Sequence, residues 1–223
     1  CEPEARFTRR TDHELYCAGH LFEAAVAYAH ATGKEKFLGL MRRYADYIER
    51  VFKDEKSAAF LTPGHEEIEL ALVKLYRHTG EKRYLELSRW FVEERGRHEE
   101  GLYEMFPSKH AQDHLPVRQM ETAEGHCVRA LYLYSAMADL AYEYQDEELL
   151  GVCRRIFLNI VRRRMYVTGG VGSTAHGEAF TVDYDLPNRT AYAESCASIA
   201  LIFFARRMLR LEADSLYADT MER

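Results

Sequence analysis

The sequence predicts an all-α fold built from stacked helical hairpins, and three observations support this prediction. Apolar residues recur with a period of about 3.6, the period of an α-helix, over most of the 223 residues. Segments that are apolar on nearly every side alternate with segments that are apolar on one side only. The helical segments also resemble one another in sequence.

The alternation of two kinds of helix predicts two layers. A helix that is apolar all round is buried, whereas a helix with a single apolar stripe lies on an outer layer. Inner helices are predicted over residues 15–28, 68–76, 128–140 and 199–209. Outer helices are predicted over residues 37–51, 84–91 and 149–160, and a further helix over residues 215–221. This order favours an (α/α)6 toroid or barrel over an open superhelix, which would also show two kinds of helix.

Three similar segments make up the repeat. They are GHLFEAAVAYAHATGKEKFL from Gly19, GHEEIELALVKLYRHTGEKRYL from Gly64 and GHCVRALYLYSAMADLAYEYQDEELL from Gly125. In the first two segments a Thr-Gly pair, with Gly33 or Gly80, follows the inner helix, and glycine commonly ends helices in the left-handed conformation. Repeated hairpins of this kind form a stacked or closed array.

The number of helices predicts only part of a closed barrel. Seven helices and the start of an eighth make about three and a half hairpins, whereas a barrel of six hairpins has twelve helices. We therefore expect residues 1–223 to form one partial (α/α) barrel domain, with no second domain. The chain begins with Cys1 rather than Met, and its ends do not have the character of the terminal units that cap a helical array, so we expect it to be a piece of a longer protein.

Charge and composition exclude several classes of partner. The 30 basic and 36 acidic residues give a formal net charge of −6, so neither nucleic acid nor an anionic membrane is an expected partner. No apolar run of about 18 residues is present, so no transmembrane helix is expected. With no signal peptide, the sequence predicts a cytoplasmic protein. The scattered cysteines favour a reducing compartment or a metal role over a disulfide framework; they are Cys1, Cys17, Cys127, Cys153 and Cys196.

Histidines lie close to the start of three inner helices. They are His13, His65 and His126. In a helical toroid the N-termini of the inner helices gather on one rim, so these side chains are expected to converge on one pocket. The alternative is that each histidine caps its helix or packs at the helix start. His20, two turns into the first helix, competes with His13 for the first position.

A long loop interrupts the helices from residue 168 to residue 193. Such loops inside compact domains are uncommon and are usually functional or disordered. Within the sequence HGEAF, Glu178 has small neighbours that leave its carboxylate accessible, as a general acid/base requires. The alternative, an exposed loop glutamate, is favoured by the sequence alone. Alternating apolar residues predict that the loop packs against the protein; they are Phe180, Val182, Tyr184 and Leu186.

Glu194 and Cys196 stand at the start of the last inner helix. In the first turn of a helix both side chains can reach a metal ion placed beyond the helix end. A thiolate and a carboxylate are both zinc ligands, but a closed zinc site needs four ligands. The other cysteines are isolated in the sequence. Composition alone therefore favours the alternative, in which Cys196 is a buried structural residue.

Six motifs, in their order and spacing, resemble glycoside hydrolase family 127, the β-L-arabinofuranosidase family. They are HELYCAGHL, PGHEEIELALVKLYRHTGEKRYL, EGHCVRALYLYSAMADLA, TGGVGSTAHGEAF, DYDLPN and YAESCASIALIFFARRML. The resemblance implies an (α/α)6 barrel catalytic domain followed by β-sandwich domains. It implies a retaining glycosidase that removes terminal β-L-arabinofuranose from an oligosaccharide or plant glycan. The implied nucleophile is a zinc-bound cysteine thiolate, with a glutamate as general acid and then base.

The resemblance also implies roles for individual residues. Glu178 matches the acid/base, and Glu194 and Cys196 match two of the four zinc ligands. The remaining two ligands, a Cys-Cys pair that includes the nucleophile, are absent from this sequence and are expected beyond Arg223. The chain by itself is expected to be inactive or nearly so, because half a barrel leaves apolar faces of the inner helices unburied. The sugar-contacting histidines match His13, His65 and His126, with His20 as the competitor of His13.

Two other functions are compatible with the helical repeats. The first is a sugar epimerase or isomerase on the same barrel, which would use histidines as acid/base pairs and would not need zinc. The second is a non-catalytic helical scaffold or a carbohydrate-binding remnant.

Overall fold

A computed structural model describes residues 3–98 and 108–223, so Cys1 lies outside the described residues. The described residues form eight α-helices and no β-strand beyond isolated bridges. None of these helices has both the length and the apolar character needed to cross a bilayer. The all-α prediction is confirmed, and every predicted helix is present. The helices are α1 Glu14–Thr32, α2 Lys36–Glu49, α3 Ile68–Thr79, α4 Lys82–Glu94, α5 Cys127–Tyr144, α6 Glu147–Asn159, α7 Ser195–Leu211 and α8 Ser215–Glu222.

Two glycines end inner helices as predicted. Gly33 follows α1 with φ 68°, and Gly80 follows α3 with φ 74°, both in the left-handed region. The N–H of Gly33 donates to the carbonyl of Ala29, and that of Gly80 donates to the carbonyl of Tyr76. These bonds satisfy carbonyl groups that the helix end would otherwise leave without a donor.

The first of two compact units, Cys1–Glu94, contains α1 to α4. Helix α3 packs against α1 and α4, and α1 also packs against α2. The apolar core of this unit draws side chains from all four helices; it includes Phe22, Ile48, Ile68, Leu72 and Phe91.

The second unit, Arg95–Arg223, contains α5 to α8. Helix α5 packs against α6 and α7, and α7 packs against α8. One aromatic ring from each helix joins the core. The ring of Phe204 lies 5.7 Å from that of Tyr134 and 5.5 Å from that of Phe157, centroid to centroid. Tyr217 of α8 completes the set at 4.8 Å from Phe157.

Burial divides the inner helices into two pairs. Helices α3 and α5 are buried on nearly every side, as predicted. The prediction is wrong for α1 and α7, because complete burial requires a neighbour on every side of a helix. Within its unit α1 packs against α2 and α3, and α7 packs mainly against α5 and α8. Large apolar side chains stay exposed on both helices; they are Leu21, Tyr28, Ile199, Ile202 and Phe203.

The loop before α7 is held by backbone contacts rather than by regular structure. Isolated bridges pair Ala179 with both His126 and Thr174. The N–H of Phe180 donates to the carbonyl of Gly125 at 2.9 Å. These contacts hold the middle of the loop against the start of α5, and this attachment positions Glu178.

The predicted packing of alternate loop residues is only partly correct. Phe180 is buried and Leu186 is partly buried, but Val182 and Tyr184 are 72% and 71% exposed. The residue between Val182 and Tyr184 explains why both are exposed. Asp183 accepts hydrogen bonds from Asn159 and from two arginines, so its side chain faces the protein and its two neighbours face water; the arginines are Arg163 and Arg164.

Candidate active site

Three predicted site residues meet in the second unit. His126 precedes α5, Glu178 belongs to the loop, and Glu194 precedes α7. Their ring nitrogen and carboxylate oxygen atoms all lie within 4.8 Å of one another. Segments far apart in sequence therefore bring an imidazole and two carboxyl groups to one place.

His126 both caps α5 and contacts Glu178. Its Nδ1 accepts hydrogen bonds from the backbone N–H groups of Val128 and Arg129, at 3.2 and 3.5 Å. An accepting Nδ1 carries no proton, so in this neutral ring the proton is on Nε2. Nε2 then donates to Glu178 Oε2 at 2.8 Å. Burial, followed by the charge of Arg129, lowers the pKa of His126 to about 4, so the ring is neutral at pH 7.

Glu178 is accessible, as the loop sequence predicts. Its backbone is in the left-handed region at φ 52°, following Gly177 at φ 68°. Its side chain is 44% exposed. Tyr192 donates to Oε1 at 2.7 Å, and this hydrogen bond, followed by the interaction with His126, lowers the pKa of Glu178. The site therefore presents an ionised carboxylate that two donors hold in place.

Glu194 has a different environment from Glu178. It occupies the N-cap position of α7, yet its side chain caps no backbone N–H. Its Oε1 is buried and accepts no hydrogen bond, and its Oε2 lies 3.5 Å from the Tyr192 hydroxyl. Burial, followed by the negative charge of Glu178, raises the pKa of Glu194. One of its oxygens is thus free to bind a cation.

Cys196 is exposed rather than buried, so the alternative of a buried structural cysteine is wrong. Its thiol lies close enough to the Glu194 carboxyl group to lower the pKa of that group. A sulfur and an oxygen donor therefore lie together at the start of α7. This donor set, together with the unsatisfied Oε1 of Glu194, fits half of a zinc site.

Two residues at this site were not predicted from the sequence. Tyr192 joins Glu178 and Glu194, and its bond to Glu178, followed by burial, raises its own pKa to about 12. His110 is buried, with its ring 5.5 Å from that of His126. The position of Tyr192 two residues before Glu194 was the available sequence signal; nothing in the sequence around His110 indicates its burial.

The other two predicted histidines meet in the first unit. The ring centroids of His13 and His65 lie 6.0 Å apart, and the ring of Tyr16 lies 4.5 Å from that of His65. Nδ1 of His13 donates to the Thr11 carbonyl at 2.7 Å, and Nδ1 of His65 donates to the Glu66 carbonyl at 2.9 Å. In the neutral rings Nε2 is then an acceptor, which suits a sugar hydroxyl.

Comparisons with known proteins give one consistent result. The profile of the β-L-arabinofuranosidase GH127 catalytic domain matches residues 1–223. A non-reducing end β-L-arabinofuranosidase of Bifidobacterium longum subsp. longum is 44% identical over 229 aligned positions, which cover 95% of this chain and 34% of that protein. The chain thus spans about a third of that relative.

Solved structures agree with the sequence comparison. A GH127 β-L-arabinofuranosidase from Geobacillus stearothermophilus T6 superposes with a TM-score of 0.93 at 52% identity, over 99% of this chain and 37% of that one. A second GH127 β-arabinofuranosidase superposes with a TM-score of 0.86 at 40% identity, over 94% of this chain and 32% of that one.

Proposed function

Because the chain belongs to the GH127 β-L-arabinofuranosidase family, we propose that it is part of a retaining glycoside hydrolase that releases terminal β-L-arabinofuranosyl residues from plant-type glycans. The fold of the complete catalytic domain would be an (α/α)6 barrel. One observation carries the proposal: Glu178 is accessible, ionised and held by two donors beside Glu194.

Glu178 is the proposed general acid/base. In the second half of a retaining reaction it must accept a proton from water, and an ionised carboxylate is suited to this step. Its bonds to His126 and Tyr192 fix the direction of both oxygens. In the first half it must carry a proton to the leaving oxygen, so substrate binding has to displace at least one of these donors or raise the pKa of Glu178.

Glu194 and Cys196 are the proposed zinc ligands of this chain, two of an expected four. The unsatisfied Oε1 of Glu194 and the adjacent thiol support this assignment. Zinc, when bound, acts as a Lewis acid that keeps a coordinated cysteine deprotonated at neutral pH. The cysteine nucleophile and the other ligands would lie outside this sequence.

The proposed substrate contacts are His13, His65 and His126. The proton positions argued above give His13 and His65 an accepting Nε2, whereas His126 has a donating Nε2. A sugar hydroxyl both donates and accepts, so the three rings offer complementary partners.

The test uses the full-length natural protein that contains this sequence. Hydrolysis of p-nitrophenyl β-L-arabinofuranoside is measured for the wild type and for Cys196→Ser, and the zinc content of both is determined in parallel. We expect activity and zinc in the wild type and the loss of both in the variant. Zinc in the wild type without activity on this substrate would mean that the enzyme acts on another sugar. A protein without zinc would make Glu194 and Cys196 structural and would favour an epimerase.

A further inference from the structure

A second group of one histidine and two glutamates lies in the first unit, between α1 and the start of α3. His20 and Glu23 are on α1, and Glu67 directly precedes α3. Nδ1 of His20 lies 3.2 Å from Oε1 of Glu67 and 4.0 Å from Oε2 of Glu23. One ligand atom from each residue lies within 4.8 Å of the other two. The family resemblance implies no metal-binding role for these residues, and His20 enters it only as the competitor of His13 for a sugar contact.

The side chain of Glu67 is buried and aimed at this group. The residue is 2% exposed, although charged side chains are almost never fully buried without a partner. It occupies the N-cap position of α3, where an acidic side chain usually accepts a backbone N–H, but its carboxyl group does not cap. Its Oε1 is buried and accepts no hydrogen bond. The carboxyl group has therefore turned away from its usual local partner and towards His20 and Glu23.

Gly19 makes this arrangement possible. A Cβ atom at position 19 would lie 2.6 Å from Cγ of Glu67 and 2.9 Å from the backbone nitrogen of Ile68. Real Cβ atoms do not approach other atoms so closely. The missing side chain lets the start of α3 lie directly on the backbone of α1, which places Glu67 between the two α1 side chains. The site is thus built by close packing of two helices rather than by mobile surface groups.

The distance between His20 and Glu67 is that of two ligands of one ion. Their atoms are 3.2 Å apart, yet the Glu67 oxygen accepts no hydrogen bond. In a tetrahedral site with bonds of about 2.0–2.2 Å, two ligand atoms lie roughly 3.3–3.6 Å apart. We propose that His20, Glu23 and Glu67 bind a divalent transition-metal ion that ties α1 to α3.

The ligand types select the class of ion. Imidazole together with carboxylates suits zinc or manganese better than calcium or magnesium, which prefer oxygen ligands alone. Lys74 is the competing cation, since its Nζ contacts Oε1 of Glu23. Its side chain is 42% exposed, so it has room to move into water when the ion binds.

This site does not depend on the proposed glycosidase function, and its test needs no substrate. Cys196→Ser is the background, because it removes a thiol from the other proposed zinc site. The full-length natural protein is stripped with chelator and dialysed against Zn²⁺ or Mn²⁺, and its metal content is measured by mass spectrometry, together with the shift in melting temperature. His20→Ala is then added to this background, with His30→Ala as the control on the exposed end of the same helix.

We expect His20→Ala to lose one equivalent of metal per chain and the associated rise in melting temperature, while His30→Ala keeps both. Equal metal content in the two variants, or no metal binding in the background, would overturn the proposal. The His20 side chain is 43% exposed, so its removal should leave the metal-free fold intact. If melting in chelator is nevertheless lowered, Glu67→Gln, which keeps the size of the side chain, supplies the same comparison.

Discussion

The two units contain similar groups in opposite electrostatic states. Each has one histidine and two glutamates near the start of an inner helix. In the second unit Glu178 is partly exposed, accepts two hydrogen bonds and has a lowered pKa. In the first unit Glu67 is buried, accepts no hydrogen bond at Oε1 and has a pKa raised to about 10. Donors and solvent, rather than residue type, decide which carboxyl group is charged.

The difference begins in the local chain. Glu178 lies on a loop, where Gly177 and the backbone pairing of Ala179 hold it at the surface. Glu67 lies where two helices touch at Gly19. A carboxylate that exchanges protons with a substrate must be reached from outside, and only Glu178 meets this condition. Glu67 is suited to a proton or a metal ion that stays in place.

The largest expected effect comes from Glu178→Gln. The amide keeps the shape of the side chain but cannot transfer a proton, so we expect kcat for p-nitrophenyl β-L-arabinofuranoside to fall by about 10²- to 10⁴-fold. The assay uses the full-length natural protein. Glu86→Gln, on the exposed side of α4, is the matched control and should behave as the wild type. A Glu178→Gln protein within tenfold of wild-type activity would remove Glu178 from the mechanism.

Removal of a donor from Glu178 should have a smaller effect. Tyr192→Phe deletes the hydroxyl that bonds to Oε1. A hydrogen bond to a charged group contributes about 1.5–3 kcal/mol, so we expect kcat/KM to fall by roughly 10- to 100-fold. Because this bond lowers the pKa of Glu178, its loss should raise that pKa and move the corresponding limb of the pH profile to higher pH.

The control for Tyr192→Phe is Tyr184→Phe, a change to an exposed tyrosine of the same loop. It should leave both kcat/KM and the pH profile unchanged. A Tyr192→Phe profile that keeps its wild-type position, even with lower activity, would show that Tyr192 supports the loop rather than the charge of Glu178.

The Glu67→Gln substitution should change the pH dependence of stability rather than activity. In chelator the folded protein keeps Glu67 protonated up to a pKa of about 10, whereas the unfolded chain loses this proton above about 4.5. The unfolded state then binds fewer protons, so this group makes the unfolding free energy fall as pH rises, by up to about 1.4 kcal/mol per pH unit. Glu67→Gln removes that term.

Urea unfolding of the wild type and Glu67→Gln in chelator, from pH 5 to pH 8, checks this prediction. The variant should gain stability relative to the wild type as pH rises. Parallel curves would mean that Glu67 is ionised in the folded protein, and the contrast with Glu178 would then disappear.

The sequence predicts the helices well because their signals are local. Apolar periodicity locates all eight helices, and the Thr-Gly pairs locate the ends of α1 and α3. Periodicity describes the faces of a helix but not the number of neighbours that cover them. For this reason it predicted the burial of α3 and α5 correctly and that of α1 and α7 wrongly.

The residues of the candidate site also divide into those that the local sequence predicts and those that it does not. The local sequences around Glu178 and Glu194 marked both as candidate site residues, and the structure brings them together. Tyr192 and His110 join the site through contacts with residues distant in sequence, which no local pattern records. The sequence also did not predict the charge states of the glutamates, since these depend on which donors reach each carboxyl group.

The smallest expected effect comes from substitutions of His126, which distinguish the two roles of this residue. His126 caps α5 through Nδ1 and donates to Glu178 through Nε2. His126→Ala loses both, and loss of an N-cap costs about 1 kcal/mol. His126→Asn keeps an oxygen that can cap but is too short to reach Glu178. We therefore expect urea unfolding to show lower stability for His126→Ala only, and the arabinofuranoside assay to show reduced activity for both. A fully active His126→Asn would reduce His126 to a helix cap, and an equally destabilised His126→Asn would deny it that role.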